Sequence, residues 1–106
     1  MKPHWELAFK PASELHALIV NKHISPVEII EDALKRLEEL NPTLNAFLTV
    51  TPEIAIEEAR KAEEAIMSKQ QLGMLHGLPT SIKDHISTAG IRTTTGSLIF
   101  KNNVPN

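Results

Sequence analysis

The sequence predicts an α/β chain whose core is incomplete. Three observations carry that reading. The first seventy residues hold three stretches with helical periodicity, two of them opened by a Ser/Thr-Pro pair. Two short apolar runs, Asn45–Val50 and Leu78–Lys83, have the length and bounding turn residues of strands. After residue 70 the helical texture stops, and glycine, threonine and serine take over.

The first helix is expected from Pro11, placed in its first turn, to about Asn21, with Leu15, Leu18 and Ile19 on one face. The second has the sharpest start signal. Ser25 stands at the N-cap, Pro26 at the first helical position and Glu28 three residues after the cap, which together make a capping box. It is expected to run to about Leu40 with Val27, Ile30, Leu34 and Leu37 as its apolar stripe, and to end at Asn41-Pro42, because a residue before proline avoids the α region. The third helix follows Thr51-Pro52 to about Ser68, with Ala55, Ala59, Ala62 and Ile66 facing inward. In the second apolar run, Leu78, Thr80 and Ile82 alternate with Ser81 and Lys83.

With 106 residues the chain has length for one domain, spanning 1–106. A chain of this size buries roughly 60–70% of its unfolded surface. Yet two isolated strands cannot serve as the sheet that three amphipathic helices need. The chain therefore reads as a piece of something larger. Either a homodimer or a C-terminal portion outside this sequence would complete its core.

Composition narrows the function. At 42% hydrophobic and 23% charged, the chain is expected to fold. Eleven basic residues against thirteen acidic ones form no dense basic patch, so nucleic acid is not expected as a direct partner. The run Ala17–Val20 is far shorter than the ~20 residues of a membrane helix, and the first ten residues lack a signal-peptide core. No cysteine is present, and a cytoplasmic setting is the expectation.

The segment "LHGLPTSIKDHISTAGIRTTTGS", residues 75–97, holds three of the four glycines and carries Lys83 followed by Asp84. It lacks the adjacent Gly-Lys-Ser/Thr of a phosphate-binding loop, and its glycines do not fit a dinucleotide fingerprint. The five histidines, His4, His16, His23, His76 and His85, show no ligand spacing, so no metal and no cofactor are expected. A lysine at the inward end of a buried strand could act as a general base, since desolvation favours the neutral amine. The plain alternative is a lysine that reaches back to water along its alkyl stem.

"GLPTSIKDHISTAGIRTTTGS" resembles the lysine-bearing segment of the amidase signature family. Upstream, "ISPVEIIEDALKRLEELNPTLNAFLTV" is similar to that family's N-terminal helix, Asn-Pro turn and first strand. "EARKAEEAI" and "LGMLHGLP" match the following helix and the approach to the lysine strand. The likeness covers about Pro11 to Pro105. Lys22, His85 and Ser87 depart from the residues common in the family; Lys83 and Asp84 do not.

The resemblance implies the N-terminal part of a single amidase domain, helices on a mixed sheet, truncated before the serine-bearing segment. It implies hydrolysis of a carboxamide C–N bond by a Ser–cis-Ser–Lys triad, of which this chain carries the lysine alone, Lys83. The partner would be a small-molecule amide, with neither metal nor organic cofactor. Asp84 is expected to orient the lysine loop or accept backbone donors. Thr94 and Ser97 are expected to serve in turns or caps, and Gly77 and Pro79 to set the turn before the strand. Ser81 is not read as a nucleophile, and Trp5 has no assigned role. Two alternatives stand beside this: the glutamine-hydrolysing subunit of a tRNA-dependent amidotransferase, and a non-catalytic binding module or remnant. By itself the 106-residue chain is expected to be inactive.

Overall fold

The computed structural model describes residues 5–106. His4 and the opening of the chain lie outside the described residues. Contacts divide the chain into two compact units. The first comprises Met1–Asn45 and Thr51–Pro79; the second comprises Ala46–Val50 and Thr80–Asn106.

The first unit is helical. A 3-10 turn, Leu7–Phe9, precedes α1 (Ala12–Val20), α2 (Pro26–Leu44) and α3 (Pro52–Met67). α1 starts one residue after Pro11, whose carbonyl accepts the first helical bonds from Glu14 and Leu15 at 3.0 and 3.1 Å. Leu15 and Ile19 bury their side chains, four residues apart on one face.

α2 begins as its sequence dictates. Ser25 Oγ accepts from the Val27 amide at 2.9 Å, and Glu28 Oε2 accepts from the Ser25 amide at 2.8 Å. Two amide donors that no helical carbonyl can reach are thereby satisfied. The far end differs from expectation. The helix passes through Pro42 and stops at Leu44, capped by Asn45 in the left-handed conformation at φ 50°, with the Asn45 amide on the Asn41 carbonyl at 2.7 Å. In the last turn a proline forfeits one helical bond, and asparagine adopts the left-handed cap more readily than most residues. The most buried positions of α2 are Pro26, Ile29 and Asp32, while Val27, Ile30, Leu34 and Leu37 are half-buried. Asp32 is paired one turn on with Arg36 at 3.3 Å.

α3 packs on α2 and buries Ala59 and Ile66, with Ala55 and Ala62 half-buried beside them, on the expected face. Leu15, Ile19, Ile29 and Ile66 form the centre of the core, and Leu7, Ile24, Leu72 and Leu78 close around it. Gly77 fits against this centre because it has no side chain. Its φ is +76°, and a Cβ there would lie 2.9 Å from Pro26 Cγ and 3.3 Å from Ile19 Cδ1. His76 Nε2 donates to the Ala62 carbonyl at 2.8 Å, which ties the same turn to α3.

The expected mixed sheet is absent: no strand occurs among the described residues, and the described elements are helical. A strand is defined by a neighbour that completes its ladder. The runs 45–50 and 78–83 have none, and Phe47, Leu48, Val50 and Ile82 are 40%, 54%, 40% and 55% exposed. The α/β assignment is thus corrected to a helical unit and a turn-rich unit. No described helix is long and apolar enough to cross a membrane.

Candidate functional site

The second unit is built from turns. Its chain doubles back so that residues 90–93 face 103–105. The Thr93 amide donates to the Asn103 carbonyl at 2.9 Å, Asn103 Nδ2 donates to the Thr93 carbonyl at 2.9 Å, and the Gly90 amide donates to the Pro105 carbonyl at 2.9 Å. Arg92 adds two contacts: Nε donates to the Lys101 carbonyl and Nη1 to Thr49 Oγ1, the latter at 3.5 Å. Leu98–Phe100 form a 3-10 turn capped by Ser97, whose Oγ accepts from the Ile99 amide at 3.3 Å.

Lys83 and Asp84 lie in this unit. Lys83 is exposed, with no described partner for its amine, and its carbonyl accepts from the Ile86 amide at 3.0 Å. Its expected place was the inward end of a buried strand. Without a paired strand there is no inward end, and its neighbour Ile82 is exposed as well. Ser81 is also exposed, and among the described residues no serine hydroxyl meets the Lys83 amine. Among the described residues, then, the Lys83 amine stands without a hydroxyl beside it.

Asp84 is the organising residue. Its Oδ1 accepts from the Thr94 amide at 2.8 Å, its Oδ2 accepts from the Thr94 hydroxyl, and its carbonyl accepts from the Thr95 amide at 2.9 Å. Thr94 is 4% exposed, and its hydroxyl also accepts from the Gly96 amide at 3.2 Å. The Thr94 hydroxyl holds the Asp84 carboxyl below its ordinary pKa. The Thr94 amide adds to this, and the nearby Gly96 amide and the Arg92 charge contribute less, against a burial effect of opposite sign.

The turn that follows is strained. Thr95 has φ 51° and Gly96 φ 71°, and the Ser97 amide closes onto the Thr94 carbonyl at 3.0 Å. Two consecutive left-handed residues between these hydrogen-bonded positions match the backbone requirement of a type I′ turn. Glycine adopts that conformation freely; a β-branched threonine does not.

The structure thus brings Asp84, Thr94 and Ser97 into one turn system. Gly77 and Pro79 belong to the helical unit. Sequence reasoning missed the Thr93–Asn103 pairing and the two-point grip of Thr94 on Asp84, since a ten-residue separation within a loop follows no periodicity. Elsewhere, among the described residues, no three potential metal ligands converge. An open groove in the helical unit, bordered by Lys22, His23, Glu28 and Glu63, contains none of the candidate site residues. Trp5 stacks at a tilt on Phe9, with centroids 6.3 Å apart, and has no part in the turn system.

Residues 28–106 match the family model described as Amidase. A glutamyl-tRNA(Gln) amidotransferase subunit from Gloeothece citriformis is 46% identical to this chain over 92 residues, covering 87% of it and 19% of the relative. The protein of the same name from Nostoc punctiforme shows 46% identity over 92 residues with the same coverage, and that from Heliobacterium modesticaldum 40% over 100 residues, covering 94% of this chain and 20% of its own. The chain spans about a fifth of the length of these curated relatives. With its lysine segment inside the matched span, the chain belongs to the amidase family, as an N-terminal portion of it.

Proposed function

We propose that this segment belongs to a protein that hydrolyses carboxamides, and that Lys83 is its general base. The observation that supports this most directly is the family match, whose span of residues 28–106 includes Lys83 and Asp84. In this reading the serines come from the remainder of the protein. Lys83 takes a proton from the nucleophilic serine through a bridging serine. The serine oxygen then attacks the carboxamide carbonyl, the C–N bond breaks, and ammonia or an amine leaves with the returned proton. Water hydrolyses the acyl-enzyme and frees the serine. An oxyanion hole is required as well. The exposure of Lys83 fits an amine whose partners lie elsewhere in the protein. The same reading keeps the cytoplasmic setting.

A more specific version is favoured by the relatives, which are named as subunits of glutamyl-tRNA(Gln) amidotransferase. The amide would then be glutamine, and the released ammonia would pass to a partner protein.

The test is amide hydrolysis by the complete protein that carries this segment, with glutamine and simple aliphatic amides compared. Lys83→Ala is expected to lower kcat by about 10²- to 10⁴-fold, the usual contribution of a general base. Hydrolysis at the unmodified rate in Lys83→Ala would overturn the assignment. Turnover of glutamine alone, rising when co-expressed partner proteins are present, selects the amidotransferase version. The 106-residue chain by itself is expected to hydrolyse neither substrate.

A further inference from the structure

We propose that Asp84 is a positioning residue for Lys83, holding the lysine's backbone through a two-point grip on Thr94; this rests on Lys83 being the base of the proposed reaction. Three hydrogen bonds join residue 84 to residues 94 and 95, two through the carboxylate and one through the carbonyl. Lys83 contributes its own carbonyl to the Ile86 amide at 3.0 Å. The backbone on the C-terminal side of Lys83 is therefore fixed from two directions, while its amine has no described partner. A base without side-chain contacts owes its placement to its backbone, and small errors in placement are costly to catalysis.

Two details argue that the grip is specific. Both carboxylate oxygens face donors, the Thr94 amide and the Thr94 hydroxyl. A carboxylate satisfies both as an acceptor, whereas an asparagine would turn an amide donor toward one of them. The second detail is Thr95, a β-branched residue at φ 51° directly after the gripped position. Such a conformation persists only where the surroundings over-determine it. The Asp84 carbonyl on the Thr95 amide and the Thr94 hydroxyl under the Gly96 amide supply that restraint.

The experiment is a set of variants in the complete protein: Lys83→Ala, Asp84→Asn, Lys83→Ala/Asp84→Asn, Thr94→Val and Thr94→Ser, each assayed for amide hydrolysis and thermal melting. Asp84→Asn is expected to lower kcat by about 10- to 100-fold, a loss of the size that misplacement gives, with KM nearly unchanged. In the Lys83→Ala background it should lower the residual rate no further, because a residue acting through the lysine has nothing left to position. Thr94→Val should reproduce part of the kcat loss, and Thr94→Ser, which keeps the hydroxyl, should restore most of it. If Asp84→Asn melts below the assay temperature, Thr94→Val with and without Lys83→Ala decides by the same criterion. Equal losses with and without Lys83, or a kcat that falls only as far as the folded fraction falls, assigns Asp84 to the turn alone and overturns the proposal. A fully active Lys83→Ala is a different failure: it removes the general base itself, and this proposal with it.

Discussion

The two units are held together by opposite means. In the helical unit the buried residues are mainly apolar, with Ile19 and Ile29 at 1% and 2% exposure. In the turn-rich unit the fully buried positions are Thr93 and Thr94, at 3% and 4%, and each is used for hydrogen bonding rather than for apolar area. Apolar burial is non-directional and tolerates some repacking; a hydrogen-bonded turn depends on donor, acceptor and angle. The helical unit is therefore sensitive to lost volume, and the turn unit to lost polar partners. The residues proposed for catalysis sit in the second kind of structure, where position is fixed by direction.

The comparison breaks first at Ile29. Removing its side chain should leave a void in a core whose centre has four large members. Ile29→Ala is expected to cost about 2–5 kcal/mol. A urea titration of the helical circular dichroism signal measures it. An unchanged midpoint would mean that the helical unit is not held by apolar packing at its centre. Gly77→Ala should cost less, about 1–3 kcal/mol, through the strain of φ +76° and the 2.9 Å approach to Pro26 Cγ. It sharpens the comparison by showing how closely the turn before Leu78 is seated on the helical core.

How much of this is legible in the sequence follows the same division. The capping box at Ser25 and the alanine stripe of α3 can be read because their signals are local and periodic. The end of α2 misleads because Pro42 looks like a stop, when the true stop is Asn45, a left-handed cap three residues on. The strands fail for a deeper reason. Residues 78–83 alternate as a strand does, but alternation only prepares a surface, and pairing has to come from another segment. In the candidate site, Lys83 is singled out by a family likeness. Asp84 is expected to accept backbone donors, and it does accept the Thr94 amide. That Thr94 supplies a hydroxyl to the same carboxylate is a matter of tertiary geometry, which no spacing rule encodes.

The smallest expected effect is a titration, and it isolates the polar unit because apolar packing has no counterpart to it. The Asp84 carboxyl is held below its ordinary pKa chiefly by the Thr94 hydroxyl and then by the Thr94 amide. A carboxyl whose folded value lies below its unfolded value binds fewer protons when folded. Its contribution is thus fully present above the unfolded value and is lost as pH falls through the folded one. The grip on Thr94 should therefore be intact at neutral pH and release only on the acid side of the ordinary aspartate range. An NMR titration of the Thr94 amide proton, followed together with the Asp84 carboxyl carbon, reads this directly. Both should move with one midpoint below that range, and Asp84→Asn should abolish the step at Thr94. A midpoint at or above the ordinary value, or a Thr94 amide indifferent to pH, would show that the carboxylate does not hold the turn. The strained Thr95 would then owe its conformation to the backbone bond from its amide to the Asp84 carbonyl and to the Thr93–Asn103 pairing, not to the carboxylate.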